Sequence, residues 1–457
     1  MEDLLYNMLS LYKKLPYPLK LGIGYLYRLL PNSIKYGRFY FEYVERLKNF
    51  NSEIQQNLLK SQLKFSYQNI PYYKKVMFTR IEDFPIVNKN IIRENKSKFV
   101  NPSNFNRLVA NTGGSSGTPF EFYLEKGVSR PKEKAHFDWY WGQFGYKPGN
   151  KILMIRGEPL ADNKLWEYQV IENKLAISCY LINSTNVTEV YKVIKKFEPS
   201  FIHAYPSALK NFISCLDKAN IQSNLNIKAI FLGSEGLYLT DQLQIEDYFK
   251  AKVAHWYGHS ERLIHAGNCP YSSDLHIYPS YGYAELLNEN MEIITEPNIK
   301  GEIVATGFDN QIMPMIRYAT GDEAEYSEKK ECECGFKGSS FKNIYGRKQD
   351  YIYLSDGTKV SLTAFIFGQH FDEFNSIKEL QIVQEKMGDI LIKIVLQSDN
   401  SLDENNFIRK LIDSVNNKIT ISLQLEDEIP KTKRGKHIFL IQKINNHTAD
   451  ETSNTKF

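Results

Sequence analysis

Asn111-Thr112-Gly113-Gly114-Ser115-Ser116-Gly117-Thr118-Pro119 is the most conspicuous segment of this 457-residue chain, and the way it is read decides the fold. Its three glycines free the backbone to wrap around an anion. Its four hydroxyls and exposed backbone N–H groups can donate to phosphate oxygens. It is not a Walker loop, because no Gly-Lys-Ser/Thr follows. Gly113 to Gly117 also fits the G-x-S-x-G turn that presents a nucleophilic serine in esterases. A plain flexible turn would look much the same. Taken alone, the segment leaves all three readings open.

Working outward from it, short apolar runs alternate with helical stretches. Lys151–Ile155, Phe201–Ala204, Ala229–Leu232 and Lys252–Trp256 are each bounded by Gly, Pro or Ser, the pattern of buried strands in an α/β fold. Four further motifs follow the loop in order. Leu232-Gly233-Ser234-Glu235 and Trp256-Tyr257-Gly258-His259-Ser260-Glu261 each close a predicted strand, and Arg317-Tyr318-Ala319-Thr320-Gly321-Asp322 and Tyr345-Gly346-Arg347-Lys348-Gln349-Asp350 come later. Near the end lies Pro430-Lys431-Thr432-Lys433-Arg434-Gly435-Lys436.

In this set and order the chain resembles the acyl-adenylate-forming enzymes, and within them the branch that holds phenylacetate–CoA ligase and the CapK-type capsule-biosynthesis proteins. The likeness covers nearly the whole chain, from the helical N-terminus and the Asn69-Ile70-Pro71-Tyr72-Tyr73 turn to the terminal lysine loop. The esterase reading leaves four motifs unexplained and falls away. The resemblance implies an α/β fold: a large N-terminal adenylating domain with a β-rich subdomain, plus a small mobile C-terminal α+β domain. It also implies ATP and Mg²⁺ as reactants. Thr112, Gly113, Gly114, Ser115, Ser116, Gly117 and Thr118 would hold the β- and γ-phosphates. Ser234, Glu235, Tyr257 and Gly258 would line the adenine slot, and Asp322 and Arg347 would hold the ribose or phosphate region. Glu261 would take Mg²⁺, a hard cation suited to carboxylate oxygen. Lys436 would come from the small domain to bridge phosphate and carboxylate, with the domain hinge near Asp350. Two positions depart from the family pattern: the loop opens Asn111-Thr112-Gly113 instead of Thr/Ser-Ser-Gly, and Phe120 stands where many members carry Lys.

Length and texture divide the chain. Residues 1–80 read as helical, with Leu4, Leu5, Met8, Leu11 and Tyr12 at helical spacing and Pro71 ending the pattern. Residues 81–347 form the large domain, 348–445 the small one, and 446–457 a polar tail. Between 300 and 360 the strands are expected to shorten around Gly-rich turns. A net charge of only +4 argues against nucleic acid as a partner. Five scattered cysteines point to a reducing, cytoplasmic setting. Lys13, Lys14, Lys20 and Arg28 interrupt the apolar N-terminus, so neither a membrane span nor a secretion signal fits. A helix packed on its own domain is the expectation there, with peripheral membrane contact as the alternative.

Cys269 and His276, with six residues between them, and the pair Cys332 and Cys334 supply four ligands suited to tetrahedral, structural Zn²⁺. Tyr205, Pro206, Trp256 and His259 are placed at the acyl pocket. The sequence marks neither the carboxylic acid nor its acceptor, for which coenzyme A is the first expectation and a sugar amine or hydroxyl the second.

Overall fold

The computed structural model describes residues 12–444 except 13–14, 49–51, 112–119, 157–159, 161–163, 180, 238, 348–350, 358, 362–364, 367–372, 374–375, 397–400, 416 and 431–437. The chain divides into two compact units, Met1–Ile344 and Tyr345–Phe457.

The large unit opens with three helices, α1 (Tyr17–Leu29), α2 (Asn32–Lys48, broken at Gly37) and α3 (Ser52–Asn69). Tyr40 and Tyr43 of α2 pack on Ala135, and Tyr40 donates to Asp138 at 2.9 Å. Leu59 and Leu63 of α3 enter the main core beside Ile70 and Tyr73. A hairpin follows, β1 (Arg107–Asn111) antiparallel to β2 (Glu121–Glu125), with Asn111 opposite Glu121. The glycine loop therefore joins two paired strands. Phe120, just after it, is buried at 2% exposure and stacks on Phe122. A packing role explains why this position is not a lysine.

The centre is an α/β sheet. The described residues place β5 (Lys174–Ser178), β3 (Ile152–Arg156), β6 (Phe201–Ala204), β7 (Ala229–Gly233) and β8 (Lys252–Gly258) side by side and parallel. β4 (Trp166–Gln169) flanks the edge, antiparallel. Parallel strands buried on both faces read as continuous apolar runs, and β6 and β7 are buried along their whole length. The amphipathic helices Val187–Phe197 and Pro206–Lys218, together with Leu239–Phe249, connect them.

From β8 onward the sheet turns antiparallel through β9 (His265–Cys269) and β10 (Ser272–Ile277). It continues to β11 (Gly282–Leu287), β12 (Ile293–Ile294), β13 (Lys300–Gly307), β14 (Tyr318–Tyr326) and β15 (Ser340–Arg347). β13, β14 and β15 do not shorten, contrary to the sequence expectation, with eight, nine and eight residues; only Tyr351–Tyr353 and Lys359–Ser361, among the described strands of that stretch, are short, at three residues each. Polar residues at 320–323 on β14 conceal its pairing from a hydrophobicity reading. No helix among the described residues is long and apolar enough to cross a membrane.

The small unit carries a hairpin, β16 (Tyr351–Tyr353) with β17 (Lys359–Ser361), and a four-stranded sheet. In that sheet β18 (Ile377–Lys386) and β19 (Asp389–Leu396) are antiparallel. β20 (Thr420–Leu425) and β21 (Leu440–Gln442) join in parallel at the two edges. Phe407 and Leu411 of the helix Glu404–Ser414 cover Ile382, Ile392 and Ile394.

Candidate functional site

In open α/β sheets ligands bind beyond the carboxyl ends of the parallel strands. Here those ends carry Arg156 on β3, Tyr205 after β6, Ser234 after β7, and Gly258 and His259 at β8. Gly233 is required at its position. A Cβ there would come within 2.4 Å of the Trp256 ring on the neighbouring strand. Ser234 follows with φ of +70°, which swings its hydroxyl to the strand end.

Two motifs distant in sequence meet beside these ends, through pairs 65 and 57 positions apart. The Tyr257 hydroxyl donates to Asp322 Oδ2 at 2.7 Å, and the Tyr318 hydroxyl donates to Glu261 Oε1 at 2.7 Å. His259 Nδ1 lies 3.1 Å from Glu261 Oε2. Burial pushes the Glu261 carboxyl up, but the His259 ring and the Tyr318 hydroxyl outweigh it and hold the group at about 2. Glu261 is thus a buried, ionised carboxylate whose two oxygens each keep a lone pair. Tyr257 is pushed well above 10 by burial and by Asp322, so its hydroxyl stays protonated as a donor. Thr320 Oγ1 accepts from the Asp322 backbone N–H at 3.1 Å and fixes the turn. His259 Nε2 is buried and has no hydrogen-bond partner among the described residues.

Arg317 opens the same motif but faces away. Its guanidinium pairs with buried Glu285 at 3.0 Å and donates to the carbonyls of Glu82 and Phe84, tying the N-terminal region to the sheet. Trp256 is walled in by Phe137, Trp141 and His203. Tyr205 is buried beneath the Arg156 guanidinium, 4.6 Å from its ring centroid.

Arg156 escaped the sequence reading. It donates to His203 Nε2 at 2.8 Å and to Ser234 Oγ at 3.1 Å, bridging three strand ends. Burial and Arg156 push His203 well below 6.5, which keeps it a neutral acceptor. Its one sequence signal is a lone cation closing an apolar strand. Residues 112–118, Lys436 and the hinge at Asp350 lie outside the described residues. Glu235 follows Ser234 and is half-buried. Arg347 ends β15, and its side chain is likewise not described.

A second cluster stands on the antiparallel side. Cys269 ends β9, His276 lies on β10, and Cys332 and Cys334 occupy the turn before β15. Their ligand atoms all lie within 4.8 Å of one another. Cys269 Sγ is 3.5 Å from Cys332 Sγ, and Cys334 Sγ is 3.4 Å from His276 Nε2. Zinc–sulfur bonds of about 2.3 Å in a tetrahedron set sulfurs about 3.8 Å apart, so the spacing fits. Ser340 Oγ meets His276 Nδ1 at 2.9 Å, which leaves Nε2 for a ligand, and Phe336 stacks on the ring. Burial pushes the imidazole down to about 4, so it stays neutral.

Comparison with known proteins agrees with this architecture. Residues 352–443 match the family described as the CapK C-terminal domain. Protein CapK of Staphylococcus aureus is 26% identical over 440 residues, covering 90% of this chain and 94% of that one. Phenylacetate-coenzyme A ligase of Pseudomonas putida is 23% identical over 293 residues, covering 58% and 64%. The 2-hydroxyisobutyryl-CoA ligase in its postadenylation state, in complex with R3-HIB-AMP, shares the fold with a TM-score of 0.64 at 15% identity over 91% of this chain and 94% of that chain. In sequence the chain is thus similar to CapK and to phenylacetate-coenzyme A ligase, and in fold to an acid–CoA ligase of the adenylate-forming kind.

Proposed function

We propose that the chain is an AMP-forming ligase that activates a carboxylic acid with ATP and then passes the acyl group to coenzyme A. The observation that carries this reading is the double link between two distant motifs, Tyr257 to Asp322 and Tyr318 to Glu261, at the strand ends where a nucleotide would lie. A carboxylate is already ionised at neutral pH, so the first step needs no general base. Its oxygen attacks the α-phosphorus, forming the acyl–AMP bond as pyrophosphate leaves. The acceptor then attacks the carbonyl carbon and expels AMP.

The chain's own residues supply positions and charge. Asp322, braced by Tyr257, accepts from the ribose hydroxyls. Ser234 and Glu235 line the adenine side with Tyr257 and Gly258, and Arg347 supports the ribose or phosphate. Residues 112–118 donate to the terminal phosphates, and Lys436 neutralises charge building at the α-phosphate. Glu261 fits Mg²⁺, which would neutralise phosphate charge; the ionised, prepaid geometry of that carboxylate is the reason. Tyr205, Trp256 and His259 border the acyl group. The Cys269, His276, Cys332 and Cys334 set fits Zn²⁺ in a structural role, since four protein ligands leave no open position.

The fuller match to CapK, 90% of this chain against 58% for the phenylacetate ligase, favours a second reading of the acceptor alone: a sugar amine or hydroxyl in surface-polysaccharide synthesis. Both readings share the first half-reaction. ATP–pyrophosphate exchange measured across a panel of acids tests it. Exchange dependent on one class of acid is expected, and absence of exchange with every acid class would overturn the assignment. Thioester or acyl-sugar formation in the second half-reaction then separates the two acceptors.

A further inference from the structure

Helix α1 is turned the opposite way from an ordinary surface helix. Its only charged residues, Lys20 and Arg28, face the body of the large unit. Lys20 lies 4.0 Å from the Glu167 carboxylate, and Arg28 donates to Tyr168 and Asn173 at 3.3 Å each. Gly24 between them is buried, so close to Val170 that a Cβ would approach it to 2.7 Å. Residues 20, 24 and 28 form one stripe at four-residue spacing. The opposite face carries Leu19, Ile23, Leu26 and Leu29, exposed at 55, 44, 67 and 80%, with Tyr17 and Tyr25 also exposed. A surface helix normally buries its apolar stripe. A contiguous outward apolar face marks an interaction surface.

Charge indicates what that surface meets. Residues 1–48 hold eight of the 57 Lys and Arg but only four of the 53 Asp and Glu. The whole formal excess of +4 therefore sits in this segment, and the rest of the chain is balanced. We propose that α1 lies in the plane of an anionic phospholipid surface, its four aliphatic side chains entering the acyl boundary. Tyr17 and Tyr25 are suited to headgroup depth, and the basic excess attracts the anionic lipid. Thirteen residues are too few to span a bilayer, so the helix lies along it. The inference is independent of the ligase reading.

The test is co-sedimentation of the full chain with vesicles of equal parts phosphatidylcholine and phosphatidylglycerol, and with phosphatidylcholine alone. The chain is expected to pellet with the mixed vesicles, less so at high salt, and weakly with phosphatidylcholine. The double variant Leu26→Glu, Leu29→Glu should lose roughly tenfold or more of that binding. Both positions are exposed, so its thermal melt should match the parent. Leu243→Glu, at another exposed leucine, is the control and should pellet like the parent. No pelleting, or pelleting unchanged in the double variant, overturns the proposal. A dimer that the double variant splits, with no vesicle binding, overturns it in favour of a second copy of this chain.

Discussion

The large unit gathers two four-residue polar clusters from distant parts of the chain, and they are built on opposite principles. Glu261, Tyr318, Tyr257 and Asp322 are joined by short O–H···O bonds in which donors and acceptors match. That cluster holds its geometry with nothing added. Cys269, Cys332, Cys334 and His276 pack soft atoms at 3.4 and 3.5 Å, where thiols offer each other only weak hydrogen bonds. Burial pushes the Cys269 thiol up to about 12, which disfavours its thiolate. On the function proposed above, the contrast is that between a site preorganised for a passing substrate and one that a resident ion would complete.

The largest expected effect lies in neither cluster. Lys436→Ala should slow adenylation by on the order of 10² or more, the scale of one preorganised charge-stabilising donor. Supplied with synthetic acyl-adenylate, the same variant should transfer the acyl group at close to the parent rate. Equal losses in both half-reactions would make Lys436 a general structural residue.

Cys334→Ser sharpens the contrast directly. Loss of about 2 kcal/mol is expected, lowering the melting temperature of the large unit by roughly 3 °C together with loss of bound zinc. Purified parent protein should carry about one zinc per chain. A metal-free preparation that melts as high as the loaded one would break the distinction.

Glu261→Gln should act mainly on turnover. The change is isosteric and should keep the fold, with a lower melt from the lost charge facing His259 and Tyr318, while turnover at limiting Mg²⁺ falls by roughly tenfold, about 1.4 kcal/mol. Equal turnover would remove Glu261 from the metal role.

The last effect, absent at neutral pH, concerns His265, buried among Phe137, Tyr140, Tyr278 and Tyr281 with neither ring nitrogen paired among the described residues. Burial pushes it down to about 3. Between that value and 6.5 the unfolded chain binds the extra proton, so this group makes stability fall as pH drops through 6.5 toward 3. His265→Phe should flatten that acid limb by up to about 1.4 kcal/mol per pH unit. Denaturant titrations at several pH values would show it, and an unchanged slope would contradict the assignment.

Much of this was legible in the sequence. β6 begins and ends where the apolar run does, and β7 and β8 extend only one and two residues further, because buried parallel strands carry no alternation to obscure them. The cysteine and histidine spacing singled out four side chains that the structure also groups, since few other residue types compete for that chemistry. The tyrosine links were not legible, because nothing local tells Tyr257 that Asp322, 65 positions away, will face it. Arg156 was missed for the same reason. Its partners His203 and Ser234 are brought near only by strand order. For α1 the helix was legible but its orientation was not, since a half-buried Lys20 or Arg28 contradicts the usual pattern until Glu167 and Asn173 are seen opposite.

The most direct measurement of the central claim follows an oxygen atom. A carboxylic acid that supports exchange is labelled with ¹⁸O in its carboxylate and turned over with ATP and an acceptor. If the acid attacks the α-phosphorus, one labelled oxygen must leave with AMP. Label recovered in AMP is the result expected here. Label recovered in orthophosphate, with ADP as the nucleotide product, would show an acyl-phosphate route and contradict the account.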